Sequence, residues 1–147
     1  MGESKKSFFR PSFPKKYKGN LNNIICRSTW ETKFCNYCDL NENILEWASE
    51  EFFIKYLSPI DNRVHRYYPD FLIKVKESSN RIKTYVVEVK PKKQTLPPKK
   101  RKRITKSYIY ECQTYAVNQA KWRAASEFCK DNRIEFKIIT EDELGIK

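Results

Sequence analysis

Two stretches decide the fold of this chain, and they read Tyr67-Tyr68-Pro69-Asp70-Phe71-Leu72-Ile73 and Tyr85-Val86-Val87-Glu88-Val89-Lys90. Both are rich in aromatic and β-branched residues, which is the composition typical of β-strands. The polar interval over residues 76–83 can turn the chain back between them. The two segments can therefore form neighbouring antiparallel strands.

The spacing of charged residues on these strands predicts a shared site. Side chains alternate between the two faces of a strand, so Glu88 and Lys90 point to one side while Val87 and Val89 point into a core. Asp70 begins the preceding strand, next to a proline that keeps the backbone extended. If the strands pair antiparallel, Asp70, Glu88 and Lys90 converge at one edge of the sheet.

Such a convergence has a direct chemical use. Two neighbouring carboxylates repel each other unless a cation lies between them, and hard oxygen ligands suit Mg²⁺, with Mn²⁺ as a substitute. A lysine beside the metal can orient a water molecule and offset charge on a phosphate. The alternative is a surface hairpin that carries its charges on the solvent face.

Composition narrows the class of partner. The 147 residues carry 30 Lys and Arg against 18 Asp and Glu, a net charge of +12, which predicts a polyanionic partner. The sequence has no run of 18 apolar residues, and residues 1–10 lack the apolar segment of a secretory signal. We therefore expect nucleic acid rather than a membrane. The five cysteines are expected to be reduced thiols in a cytoplasm, in a protein that is not secreted.

The order of elements predicts an α/β fold, a small mixed β-sheet flanked by helices. Ser28 and Glu31 fit a capping box at the start of a helix. We predict a short helix over residues 42–49, a strand over 52–57, the two central strands, a long helix over 107–131 and a strand over 134–140. The long helix would be the crossover to a parallel strand. We predict that residues 1–23 form a basic N-terminal arm and that residues 24–147 form one domain with a basic loop at 91–106.

The basic loop is the most charged segment. Nine Lys or Arg and no acid lie between residues 90 and 106, with three prolines, so we expect a mobile loop. Residues 99–103 taken alone resemble a nuclear-import signal. Beside the proposed site they would instead hold the DNA backbone. The predicted DNA contacts are Lys92, Lys93, Lys99, Lys100, Arg101, Lys102, Arg103 and Lys106, with Lys121 on the long helix.

Several residues allow more than one interpretation. Glu50 and Glu51 border the first strand and either could supply an acid, but solvent-exposed charge or an ion pair is favoured. The single histidine, His65, could protonate a leaving oxygen, although a phosphate or surface contact is favoured. Cys35 and Cys38 have a spacing seen in zinc sites, but four ligands are needed, and within a helix both are expected in the core.

The pair Pro69-Asp70 and Glu88-Val89-Lys90, with seventeen residues between Asp70 and Glu88, resembles the PD-(D/E)xK nuclease superfamily. Within it the chain resembles the head-completion nucleases of T-even-like tailed bacteriophages and, more distantly, the N-terminal part of transposon-end endonucleases. The segments that carry this resemblance are Arg27-Ser28-Thr29-Trp30-Glu31, Trp47-Ala48-Ser49-Glu50, Tyr67-Tyr68-Pro69-Asp70-Phe71, Glu88-Val89-Lys90-Pro91 and Lys121-Trp122.

The resemblance implies a restriction-endonuclease-like core. It implies that Glu31 is a catalytic acid completing a metal site with Asp70, Glu88 and the Val89 carbonyl, and Lys90 the catalytic lysine. The alternative for Glu31 is a helix cap alone. A glutamine and a tyrosine four residues apart, which some relatives carry after the lysine strand, are absent around Gln113 and Tyr115.

The function implied is a Mg²⁺-dependent DNA endonuclease that acts on packaged phage DNA before tail attachment. Its expected partners are DNA and phage capsid, portal or neck proteins, in the host cytoplasm during assembly or in the virion. Two alternatives remain open: a non-catalytic DNA-binding or portal-plugging head protein, and a junction or repair nuclease.

Overall fold

A computed structural model describes residues 6–145 of the chain. In chain order the helices and strands are β1 Ser7–Phe8, β2 Ile25–Cys26, α1 Thr29–Leu40, β3 Ile44–Ser49, β4 Ile54–Leu57, β5 Val64–Tyr67, β6 Phe71–Lys76, β7 Ile82–Val89, α2 Lys106–Asp131, β8 Glu135–Ile139 and α3 Glu141–Leu144.

A four-stranded mixed sheet lies at the centre, with the strand order β3-β6-β7-β8. β6 pairs antiparallel with β3 and β7, while β7 and β8 are parallel neighbours. α2 connects β7 to β8, because parallel strands require a long crossover. The predicted α/β class and crossover are confirmed, as is the antiparallel pair of central strands.

The two faces of the sheet are buried in two separate hydrophobic clusters. Under α1, Phe34 and Cys35 pack with Trp47, Phe71 and Val87. On the opposite face, α2 packs against the antiparallel hairpin of β4 and β5. A helix or hairpin on each face is what allows β7 to be buried over its second half.

The basic N-terminal segment, as far as the structure describes it, packs on the α1 face. β1 pairs with β2, and Tyr17, which is only 5% exposed, forms a parallel bridge with Trp47. The Asp39 carboxylate accepts hydrogen bonds from the amides of Ser12 and Phe13 at 2.8 and 2.9 Å. Residues 1–5 of the predicted arm lie outside the described residues.

The predicted helix over residues 42–49 is wrong, because this segment is the strand β3. Its pairing register with β6 shifts between Ile44 and Glu46. Such a bulge disrupts the alternation of buried and exposed residues by which a strand is identified in a sequence.

Two strand boundaries also differ from the prediction. The strand expected over residues 67–73 is divided, since β5 ends at Tyr67 and β6 begins at Phe71. Pro69 lies in the break, and proline cannot donate a hydrogen bond to a neighbouring strand. The strand expected over 52–57 begins two residues later, at Ile54.

The loop over residues 91–105 contains one short 3₁₀ helix, Lys92–Thr95, and no other regular element. Whether it is mobile, as expected from its composition, stays a prediction. Within residues 6–145, no helix combines the length and the apolar composition that crossing a membrane would require.

Candidate active site

Sheet register brings three acidic residues into one row across β3, β6 and β7. Phe71 pairs with Ser49 on one side and with Val87 on the other. Continued by one residue, the same register aligns Glu50, directly after β3, with Asp70, directly before β6, and with Glu88 of β7. The Glu50 amide donates to the Asp70 carbonyl at 3.2 Å, which continues the β3–β6 pairing to this row.

Asp70 is fixed by the backbone of its neighbouring strand. Its Oδ2 accepts a hydrogen bond of 2.8 Å from the Val89 amide. This bond orients the carboxylate at the end of β7. The predicted convergence of Asp70 with Glu88 therefore follows from strand pairing.

Glu88 is almost completely buried, with 5% of its surface exposed. Its Oε1 accepts a 2.7 Å hydrogen bond from the Tyr67 hydroxyl, and its Oε2 lies 3.7 Å from Lys90 Nζ. Val87 and Val89 face the opposite cluster under α1, as the alternation predicts. Lys90 keeps 26% of its side chain exposed, so its ammonium can reach a bound molecule.

Glu31 enters the site from the first turn of α1. Ser28 Oγ accepts from the Glu31 amide at 3.2 Å, so the predicted N-cap is confirmed. The return bond differs from the prediction, because Glu31 Oε1 accepts at 3.4 Å from the amide of Arg27. This weak contact leaves the second carboxylate oxygen of Glu31 for other interactions.

Glu50 joins this site, a role that sequence reasoning ranked below surface charge. Carboxylate oxygens of Glu31, Glu50 and Asp70 lie within 4.8 Å of one another. Glu50 has a φ of 53°, in the left-handed region that a residue with a Cβ seldom adopts. It also forms the expected type of ion pair, but with Arg27, at 3.1 Å. Reading residues 44–49 as a strand would have placed Glu50 beside Asp70.

Glu51, the other acid considered for this role, has a different partner. Its Oε2 accepts from the Tyr17 hydroxyl at 2.6 Å and from the Asn20 amide at 3.1 Å. It therefore attaches the N-terminal segment to the end of β3. Of these two successive glutamates, Glu50 therefore belongs to the acidic cluster and Glu51 makes a structural contact.

Burial and like charges make the acidic cluster electrostatically unfavourable. Burial raises the pKa of Asp70 well above its usual value, and the charges of Glu88 and Glu31 raise it further against the Val89 hydrogen bond. Burial also raises the pKa of Glu31. The hydrogen bond from the Arg27 amide lowers this pKa, and the charge of Glu50 raises it. Oxygen donors that repel one another in a partly buried site are a donor set that a divalent cation would stabilise.

Lys121 of α2 lies on the face of the sheet to which Glu88 points, beside the tyrosine that binds Glu88. Its Nζ lies 5.7 and 5.9 Å from the ring centres of Tyr67 and Tyr56. Burial lowers the pKa of Lys121, while the charges of Glu88 and Asp70 act in the opposite direction. Lys121, predicted as a DNA contact, is thus close enough to the acids to interact with their charges.

The predicted contacts in the basic loop are all exposed: Lys92, Lys93, Lys99, Lys100, Arg101, Lys102, Arg103 and Lys106. Two of them have acidic partners. Lys92 Nζ lies 3.2 Å from Asp142, and Arg101 lies 3.6 Å from Glu111.

The remaining residues singled out in the sequence have structural partners. His65 Nε2 lies 2.7 Å from Asp61 Oδ2, and its ring packs on Tyr56 in the β4–β5 hairpin. Cys35 and Cys38 are buried in α1, as expected for core residues.

Comparison with known proteins supports a nuclease relationship. Residues 41–141 match the family described as TnsA-like endonuclease N terminal. The curated head completion nuclease of Enterobacteria phage T4 is 38% identical over 133 residues, which are 88% of this chain and 86% of that protein. The resemblance inferred from the sequence is confirmed. The family match includes Glu50, Asp70, Glu88 and Lys90 and begins after Glu31.

Proposed function

This chain belongs to the TnsA-like endonuclease N-terminal family, and from that premise we propose that it is a metal-dependent DNA endonuclease acting in phage head completion. The observation that carries the proposal is the set of carboxylates of Glu31, Glu50 and Asp70 within 4.8 Å of one another. Glu88 is outside this set but close enough for its charge to raise the pKa of Asp70, and Lys90 lies 3.7 Å from Glu88. The name of the phage T4 relative, head completion nuclease, supports the biological setting.

The donor atoms suit a hard divalent cation such as Mg²⁺, with Mn²⁺ as a substitute. Asp70, Glu88, Glu31 and the Val89 carbonyl would hold it, and Glu50 would ligate it or orient Glu31 and Arg27. When bound, such an ion polarises a phosphoryl oxygen and lowers the pKa of a coordinated water.

Lys90 acts on the water and the phosphate. Its ammonium, held near Glu88 at 3.7 Å, donates hydrogen bonds from the exposed side of the site. In that position Nζ orients the attacking water and offsets negative charge that develops on the phosphate oxygens. Tyr67 holds the second Glu88 oxygen in place, so the carboxylate does not turn away from the site.

The basic loop and Lys121 hold the DNA backbone near these groups. Eight of the nine predicted contacts are exposed, and the chain as a whole carries a charge of +12. Long exposed lysine side chains contact phosphates without reading sequence, so we propose non-specific binding with a steep salt dependence.

We place this activity in the host cytoplasm during phage assembly, or in the virion. The similarity to the head completion nuclease of phage T4 supports this setting. Capsid, portal or neck proteins are accordingly the proposed protein partners.

The test is cleavage of plasmid DNA by the purified full chain with Mg²⁺, with Mn²⁺ and with EDTA. Asp70→Ala should lower the rate by about 10³-fold, since metal binding supplies several kcal/mol of transition-state stabilisation. Lys90→Ala should lower it by about 10²-fold or more. Matched controls are Asp131→Ala and Lys76→Ala, which remove exposed side chains elsewhere.

Cleavage that is unaffected by EDTA, or that survives in Asp70→Ala and Lys90→Ala, would reject the proposal. A DNA-binding head protein without activity would instead bind DNA equally with and without Mg²⁺ and would tolerate Glu88→Ala.

A further inference from the structure

A groove runs between the basic loop and the first three turns of α2. It encloses about 820 Å³, a volume within the range of about 300–1,000 Å³ that is usual for ligand sites. The residues on which the argument depends are Leu96, Lys99, Arg101, Tyr110, Tyr115 and Asn118.

One wall of the groove is a continuous face of α2. The helix residues that line it are 107, 110, 111, 114, 115 and 118, which follow the spacing of three and four that defines one face of an α-helix. Tyr110 on this face is 71% exposed, and Tyr115 lies beside the groove about one turn later. A tyrosine exposed to this extent contributes little to the core, so its ring is accessible to a ligand.

The opposite wall is formed by the loop. Leu96, Pro97 and Pro98 of the loop line the same groove as the tyrosines. Leu96 is 56% exposed, so the loop leaves an apolar surface facing the groove. The groove thus combines aromatic residues of the helix with apolar residues of the loop, and a flat molecule could pack against them.

The charge of the lining indicates what kind of flat molecule would bind. Lys93, Lys99 and Arg101 line the groove, and the acid among the lining residues is Glu111. Glu111 is already 3.6 Å from Arg101, so the two lysines remain as excess positive charge. Flat aromatic surfaces combined with excess lysine are the features that bind unpaired nucleotides, whose bases stack while their phosphates contact cations.

Two lining residues of the groove are close in sequence to residues of the candidate active site. Lys93 follows Lys90 by three residues, and Asn118, at the far end of the helical face, precedes Lys121 by three. Asn118 is buried, with 6% of its surface exposed. Lys93 and Asn118 therefore connect the groove, along the chain, to Lys90 and Lys121 of the site.

We propose that this groove binds an unpaired DNA strand, with bases stacking on Tyr110 and Tyr115, and that the substrate is DNA with a single-stranded end or flap. The proposal rests on the endonuclease activity proposed above. In a paired duplex the bases stack on one another inside the helix, so they cannot stack on exposed tyrosine rings.

The test is fluorescence anisotropy with labelled oligo-dT and with a blunt duplex, in EDTA, for the wild-type chain and the double variant Tyr110→Ala/Tyr115→Ala. Base stacking on an aromatic ring contributes enough that the double variant should lose about ten-fold more affinity for oligo-dT than for the duplex. Tyr37→Ala, an exposed tyrosine of α1, is the matched control and should change neither affinity.

A second measurement uses the unmodified chain and does not depend on the variants' folding. An oligonucleotide containing 5-iododeoxyuridine is cross-linked by light, and the tryptic peptide of residues 107–121 should carry the label. Cross-links confined to other peptides, or equal losses of affinity for both DNAs, would overturn the groove assignment. Both measurements are made without hydrolysis. A failed cleavage assay would therefore reject the enzymatic proposal and the substrate that depends on it, but not the binding of an unpaired strand in the groove.

Discussion

Two regions of opposite charge differ in how the fold holds them. The carboxylates at the end of the sheet are held by strands and a helix, whereas most of the cations of the loop over residues 91–106 lie outside any regular element. Strand pairing places Glu50, Asp70 and Glu88 in one row, and a helix cap adds Glu31. The loop cations extend from a segment with a single 3₁₀ turn. Metal coordination requires fixed ligand positions, whereas a phosphate can be contacted by a long side chain over several ångströms.

This difference shows that the unfavourable electrostatic energy of the fold is concentrated at the acidic cluster. The acids are brought together against burial and mutual repulsion, which raises the pKa of Asp70 and Glu31. The bases are separated in solvent, where their repulsion is screened. Changes to the acids should therefore alter catalysis and stability, and changes to the loop should alter DNA affinity.

Among the changes that compare these two regions, Glu50→Gln should have the largest effect; it keeps the side-chain shape and removes the charge. If Glu50 belongs to the metal site, Mg²⁺-dependent cleavage should fall by about 10²-fold. Glu51→Gln is the matched control: it should retain cleavage but lose about 1 kcal/mol of stability, because Glu51 accepts a hydrogen bond from Tyr17. Initial rates and urea unfolding measure the two effects. Equal rates for both variants would exclude Glu50 from the site.

The next effect concerns the loop. The triple variant Lys99→Gln/Lys100→Gln/Lys102→Gln should weaken DNA binding and lower the slope of log affinity against log salt by up to about 3 units, one counterion for each lost contact. The control triple variant Lys55→Gln/Lys76→Gln/Lys130→Gln makes the same change in net charge at other exposed positions. Anisotropy in EDTA over a salt series is the measurement, and identical slopes for both triples would mean that the loop makes no phosphate contacts.

A smaller effect is expected from Tyr67→Phe. This change removes the 2.7 Å hydrogen bond to the buried Glu88 oxygen without altering the ring. A buried carboxylate oxygen left without a donor costs about 1–3 kcal/mol, which urea unfolding in EDTA would detect. Tyr37→Phe, an exposed tyrosine, should leave stability unchanged. Unaltered stability in Tyr67→Phe would show that water replaces the hydroxyl.

The smallest effect is a pH dependence of stability without metal. Because the folded-state pKa values of Asp70 and Glu31 are raised, the folded chain holds these protons more tightly than the unfolded chain. The stability due to these groups is therefore present at acidic pH and is lost as pH rises through their raised pKa values. Thermal unfolding of the wild type and Asp70→Asn in EDTA should show a shallower loss in the variant. A steeper loss in Asp70→Asn would contradict the assignment.

Local patterns were sufficient where one physical rule dominated. The α2 helix was predicted from its spacing of apolar residues, and its parallel neighbour β8 from the crossover that a long helix requires. Ser28 as N-cap was predicted from a short-range hydrogen bond. The opposite faces occupied by the Glu88 and Val87 side chains were predicted because side chains alternate along a strand. None of these depends on a distant partner.

The contributions of Glu50 and Tyr67 to the site were not predicted from the sequence, and the reason is structural. The register shift between Ile44 and Glu46 hid β3, and without β3 the neighbour of Asp70 could not be identified. The left-handed backbone at Glu50 and its ion pair with Arg27 join residues 23 positions apart. Similarly, Tyr67 reaches Glu88 across the sheet from a strand that the proline break separates from β6.

The sequence alone determined the charge of the molecule, the strands with Asp70 and Glu88, and the family to which they point, because composition and short periodicities are properties of neighbouring residues. Only the tertiary structure decided that Glu50 rather than Glu51 faces Asp70, that Tyr67 holds Glu88, and that Tyr110 and Tyr115 line a groove. Those choices depend on strand register and on helix packing, which join residues far apart in the chain and which no local pattern records.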